Sequence, residues 1–147
     1  MTRTGTLAPA AILRLDDGRR ARLRRWAGEE YPREACGLLI GRAHAGGWSV
    51  AEVRRARNLE PARTDDRYVL DPEAFLAADR DARAAGLEIV GFWHSHPDSP
   101  AVPSETDRGA AWPGYAYVIV SVRRGRPREV RAWTLEGDSF LEGRVTS

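Results

Sequence analysis

From Leu87 to Trp93 the chain is a short apolar run that passes without a break into His94-Ser95-His96. The run reads as a strand, and on an extended chain residues two apart point to the same face. Both imidazoles can therefore reach one ion, and zinc accepts neutral imidazole nitrogens at about 2.0–2.1 Å. Two surface histidines at a strand end are the other reading of the pair. Either way, the fold must end an apolar strand at His94 and His96.

The remaining elements follow from periodicity and punctuation. Ala11 to Leu15 alternates weakly and predicts a first strand. Asp16 and Asp17 offer an N-cap, and Leu23, Trp26, Ala27 and Tyr31 follow near helical spacing until Pro32. Ala35 to Ile40 reads as a buried strand closed by Gly41, and Trp48 to Arg57 as its hairpin partner. Asn58 to Asp71 is irregular apart from a possible strand at Tyr68 to Leu70. Asp71-Pro72 starts a helix that stops near Gly86, since proline suits the first helical position. Pro103-Ser104 opens a short helix, and Tyr115 to Val122 with Val130 to Leu135 predict a hairpin around Gly125. The expected fold is one α/β domain over residues 1–147. Its sheet is mixed but mostly antiparallel, flanked by two or three helices.

Composition narrows the function. The 147 residues are 42% hydrophobic and 30% charged, a globular balance. A net charge of only +2 argues against a nucleic-acid binder that neutralises phosphates over a broad face. All 23 basic residues are arginine. They cluster at Arg19, Arg20, Arg22, Arg24 and Arg25, and again at Arg123, Arg124, Arg126, Arg128 and Arg131, as solvated faces or as a steering surface for an acidic partner. The single cysteine, Cys36, excludes an internal disulfide and a cysteine-built zinc cage, and reads as a small buried hydrophobe. The N-terminal MTRTGTLAPAA lacks the apolar core of a secretory leader, and Tyr115 to Val122 is too short to span a bilayer. The expected location is the cytoplasm.

Seven residues separate His96 from Ser104, and two more separate Ser104 from Asp107. Ser-x-x-Asp reads as a helix N-cap with an acidic third residue, which does not exclude Asp107 as a ligand. A first-turn aspartate there would be held rigidly over the strand end. Two histidines and one carboxylate leave a fourth tetrahedral position for water, the pattern of a catalytic site. Glu34 stands just before the apolar Ala35 to Ile40 strand. On position alone it reads as an exposed first residue of that strand. No His-Glu-x-x-His occurs, the deaminase Pro-Cys-x-x-Cys is absent, and Ser99 stands where a His-x-His-x-Asp-His motif needs histidine.

Taken together, Glu34, His94-Ser95-His96-Pro97, Ser104 and Asp107 resemble the signature of the JAMM (MPN+ or JAB-domain) metallopeptidase family. Gly91-Phe92-Trp93 and Gly37-Leu38-Leu39-Ile40-Gly41 resemble its usual flanks, and the likeness runs from about Ala11 to Leu135. The resemblance implies an MPN-like architecture related to cytidine deaminases. It also implies Zn2+ held by His94, His96 and Asp107. Glu34 would be the base that activates water, and Ser104 would hydrogen-bond the oxygen of the tetrahedral intermediate. The chain is short, with little room for inserted loops at Asn58 to Arg67 or Trp112 to Tyr115, and so resembles the stand-alone prokaryotic members. That likeness implies hydrolysis of a peptide or isopeptide bond after the C-terminal Gly-Gly of a ubiquitin-like or sulfur-carrier protein. A catalytically silent scaffold of the same family, or a zinc hydrolase of a non-protein amide, are the alternatives.

Overall fold

A computed structural model describes residues 10–147. Most of the N-terminal stretch read as lacking a leader lies outside the described residues. The chain runs β1 (Ile12–Arg14), α1 (Asp17–Glu30), β2 (Cys36–His44), β3 (Gly47–Ala56), α2 (Pro72–Ala84), β4 (Glu88–Pro97), α3 (Glu105–Ala110), β5 (Ala116–Arg123), β6 (Arg126–Glu136) and β7 (Ser139–Thr146). Among the described residues no helix is long and apolar enough to cross a membrane.

The helices begin where local chemistry starts them. The Asp16 side chain accepts from the Arg19 amide to cap α1, and Asp71 caps α2 with Pro72 in its first turn. Each cap satisfies an amide that the helix leaves orphaned. The α1 helix ends before a cis Tyr31-Pro32 bond. It buries Leu23 and Ala27 against β3, β5 and β6, in a cluster with Leu39, Trp93 and Val120. On the other side α2 packs on β2 and β4, and sets Ala78 and Ala82 against Leu38, Ile40 and Ile89. Alternate residues of β2 thus face different helices. Covering on both faces is why Cys36 to Ile40 and Ala116 to Val120 read as unbroken apolar runs.

The mixed sheet differs from the expected form in one respect: it closes. The strand order is β1-β3-β2-β4-β5-β6-β7, and β1 pairs in parallel with both β3 and β7. The β4–β5 pair is also parallel, and the four remaining pairs are antiparallel. Closure depends on β7, for which no strand is expected from the sequence. Its few apolar positions are at most half-buried, so its pattern is weak. Two other expectations need correction. Gly41 does not close β2, which runs on to His44, because this glycine is where the strands approach closely. A Cβ there would stand 1.8 Å from the Ser49 carbonyl oxygen. Tyr68 to Leu70 forms no strand and makes only an isolated bridge from Leu70 to Asn58.

Candidate metal centre and its cleft

The two histidines lie inside β4, with the strand continuing to Pro97. Cys36 of β2 sits opposite His94, and Ile119 and Ser121 of β5 flank His94 and His96 on the other side. Both imidazoles are consequently buried, at 1% and 5% exposure. Between them Ser95 ties β4 to the chain before β2. Its amide donates to the Ala35 carbonyl at 3.0 Å, and its hydroxyl accepts from the Ala35 amide at 2.8 Å. That tie holds Glu34 at the level of the histidines.

Asp107 reaches the same point from α3. The Ser104 hydroxyl accepts from the Asp107 amide at 3.0 Å, and Asp107 Oδ2 accepts from the Ser104 amide at 2.9 Å. This reciprocal cap fixes the carboxylate over the strand end. Asp107 Oδ2 then lies 2.9 Å from His96 Nε2 and 3.2 Å from His94 Nε2, and the two Nε2 atoms are 3.2 Å apart. These residues form a group of donors that could hold one metal ion. A tetrahedral zinc about 2.0–2.1 Å from each donor needs donor separations of about 3.3 Å, so the triangle fits.

Protonation suits the same use. Burial holds His94 below the usual histidine range, so its ring is neutral. For Asp107, burial acts to raise the pKa, but hydrogen bonds with His94 and His96 outweigh it and keep the carboxylate ionised. A neutral imidazole and a carboxylate are forms that bind a divalent ion without first losing protons. His96 Nδ1 lies 2.7 Å from the Pro100 carbonyl oxygen, a contact that orients the ring with Nε2 toward the triangle. Tyr68 stacks on His94 with ring centroids 4.7 Å apart and planes 25° apart.

Glu34 is 3% exposed, and its Oε1 has no hydrogen-bond partner among the described residues. The expectation of an exposed glutamate, drawn from position alone, does not hold. Burial pushes its carboxyl up to about 9, and the carboxylates of Asp107, Asp66 and Asp65 add to that. A divalent cation in the triangle would oppose the shift and favour the carboxylate. Ser104 is exposed, and its oxygen accepts from the Asp107 amide, so its own proton remains free to donate outward. Burial likewise raises the Cys36 thiol to about 12, with Glu34 as the next cause, which leaves it a protonated core residue. His44 is exposed and bonds Ser49, away from the triangle.

Sequence reasoning did not single out the cleft beside the triangle. A pocket of about 340 Å³ is lined by His94, Asp107, Arg67, Tyr68, Phe92 and Trp112, among others. Its wall is held by Asn58, which uses its whole hydrogen-bonding capacity. Asn58 Nδ2 donates to the carbonyls of Glu34 and Arg67, both at 3.1 Å. Its Oδ1 accepts from the amides of Glu60 and Val69, both at 3.0 Å. One side chain thereby joins Glu34 to the strip that carries Arg67 and Tyr68. An asparagine in an irregular stretch carries no sequence signal of that kind. Asn58→Ala is expected to lower stability by about 1–3 kcal/mol, because four backbone partners, three of them in partly buried bonds, are left unpaired. Urea unfolding measures it, and a change within 0.5 kcal/mol, the usual scatter of surface substitutions, would contradict the role.

With the geometry described, known proteins can be compared. The family model described as prokaryotic homologues of the JAB domain matches residues 18–136. The chain belongs to this family. It is 40% identical over 122 residues to the desampylase of Haloferax volcanii, covering 81% of each protein. To the CysO-cysteine peptidase of Mycobacterium tuberculosis it is 31% identical over 121 residues, 82% of this chain and 77% of that protein. Among solved structures, a protein of Desulfitobacterium hafniense matches with a TM-score of 0.79 at 30% identity over 90% of each chain. The motif-bearing elements β2, β4 and α3 all fall within the family match.

Proposed function

We propose that the chain acts as one domain over residues 1–147, a zinc-dependent metallopeptidase of the JAMM type. Its reaction is hydrolysis of the peptide or isopeptide bond after the C-terminal Gly-Gly of a ubiquitin-like or sulfur-carrier protein. One observation carries this reading: three donor atoms converge at zinc-like spacing while a buried, unpartnered glutamate is tied to the same strand end. Relatives named for desampylation and for CysO-cysteine cleavage support the substrate class.

His94 Nε2, His96 Nε2 and Asp107 Oδ2 would hold the ion. Bound zinc supplies Lewis-acid polarisation of the scissile carbonyl and a lowered pKa for water. Glu34 takes a proton from the attacking water and delivers it to the leaving nitrogen as the C–N bond breaks. Ser104 donates its hydroxyl to the carbonyl oxygen as that atom gains charge. The products are the carrier's free C-terminal glycine carboxylate and an amine. Mass spectrometry of a C-terminally extended carrier incubated with zinc-loaded protein tests the reading. A fragment ending at the second glycine is expected; an intact carrier, or cuts elsewhere, would overturn it.

The arginine clusters separate in the structure. In α1, Arg19, Arg20 and Arg25 pair with Asp16, Asp17 and Glu29. In the β5–β6 hairpin, Arg123, Arg124, Arg126 and Arg128 are exposed with no ionic partner among the described residues. Three of them, outnumbering the carboxylates of Asp98 and Glu129, line a cleft of about 800 Å³ together with Pro100, whose carbonyl faces His96 Nδ1. This cleft suits an acidic face of the carrier, close to the proposed reaction centre. Arg123→Glu with Arg128→Glu is therefore expected to raise KM for a folded acidic carrier about tenfold at low salt, with less effect at high salt. Cleavage of a short peptide with the same glycines should change less than twofold. Equal losses on both substrates would contradict the docking surface.

A further inference from the structure

The two histidines of the triangle are held differently. His96 Nδ1 lies 2.7 Å from the Pro100 carbonyl oxygen, so a backbone group steadies its ring from behind. A metal-binding imidazole ordinarily has such a partner on its second nitrogen. His94 has none: its Nδ1 is buried and without a hydrogen-bond partner among the described residues. Its ring is covered instead by Tyr68, with centroids 4.7 Å apart and planes 25° apart. The one other ring beside it among the described residues is that of His96, tilted by 55°. Pairing of β4 with β2 and β5 fixes the His94 backbone, but not the plane of its ring.

Tyr68 is itself anchored on both sides. Asn58 Nδ2 donates to the carbonyl of Arg67, and Asn58 Oδ1 accepts from the amide of Val69, so one side chain brackets Tyr68. The Leu59 amide adds a bond to the Val69 carbonyl at 2.7 Å, and Leu70 bridges to Asn58. Tyr68 belongs to none of the three hydrophobic clusters, so these ties do not serve the core. What they hold in place is one aromatic face against one imidazole, and stacked rings resist being turned out of plane. We infer that Tyr68 is the positioning residue of His94. Its ring keeps the imidazole aligned with Nε2 toward Asp107 and His96, in place of the hydrogen bond that His94 lacks. This inference rests on the proposed zinc site and says what orients one of its ligands.

Zinc affinity tests this independently of turnover. Competition between metal-free protein and a fluorescent zinc chelator gives Kd for the parent, Tyr68→Phe and Tyr68→Leu. Tyr68→Phe keeps the ring and should bind zinc within about twofold of the parent. Tyr68→Leu is apolar but has no ring face, and should bind at least about threefold more weakly, on the scale of an aromatic stacking interaction. In excess chelator both variants should melt close to the parent, because Tyr68 lies outside the hydrophobic clusters. A smaller loss of affinity in Tyr68→Leu would overturn the inference while leaving the zinc site standing. An equal loss in Tyr68→Phe would also overturn it, since the hydroxyl and not the ring would then be at work. So would a melting temperature of Tyr68→Leu that falls as far in chelator as in zinc, the mark of a purely structural residue. Should Tyr68→Leu fail to fold, Tyr68→Met fills more of the same space and is judged by the same limits. A parent that binds no zinc would overturn the proposed function, and this inference with it.

Discussion

Glu34→Gln is expected to lower kcat by at least about 10²-fold while zinc stays at one per chain. The substitution keeps the shape of the side chain and removes its ability to take a proton. Little else should change, because Glu34 Oε1 has no partner among the described residues to lose. The backbone of this residue is held independently, its carbonyl by Asn58 and the next amide by Ser95. Zinc should therefore bind the variant as it binds the parent, since His94, His96 and Asp107 are untouched. The neutral amide also removes the cost of burying an ionisable carboxyl, whose pKa burial first and then Asp107 raise, so folding stability should hold or improve. Metal analysis beside single-turnover kinetics separates the two effects. Parent-level turnover by Glu34→Gln would remove Glu34 from the base role.

The second large effect is expected at the metal. His96→Ala deletes the donor that sits 2.9 Å from Asp107 and 3.2 Å from His94, and leaves two ligands. Zinc occupancy should fall from one per chain to near zero, and hydrolysis should fall with it. The hydrophobic clusters that hold β2, β4 and β5 do not include either histidine, so the circular dichroism spectrum should stay close to that of the parent. Zinc bound only to the folded state stabilises it by about 2.7 kcal/mol when its free concentration is a hundred times Kd. The parent should accordingly melt at a higher temperature in zinc than in chelator, and His96→Ala should show no such difference. A zinc-dependent melting shift in His96→Ala equal to the parent's would contradict the assignment of this ligand.

Local chemistry explains which parts of this molecule could be read in advance. The helix starts at Asp16, Asp71 and Ser104 are capping interactions within three residues, so spacing alone reveals them. His94, His96 and Asp107 are legible for a similar reason: alternation along a strand and a capped first turn are both short-range facts. Glu34 is different. Its burial depends on the Ala35–Ser95 tie, which joins residues 60 apart, and only the resemblance pointed to it. Sheet closure escaped because it needs the short β1 to pair with β7 near the far end of the chain, where half-exposed residues dilute the alternation. The pocket escaped for another reason. Arg67, Tyr68 and Trp112 come from irregular segments whose placement is set by tertiary hydrogen bonds, such as those of Asn58 and the bond from the Trp112 amide to the Tyr117 hydroxyl. No periodicity announces such residues.

Titration of metal-free protein with zinc, while following hydrolysis of a Gly-Gly-extended carrier, tests the account most directly. Activity should be absent in the chelated protein, rise in proportion to added zinc, and level off at one equivalent per chain. Full cleavage by chelated protein, or a rate that ignores zinc, would contradict it.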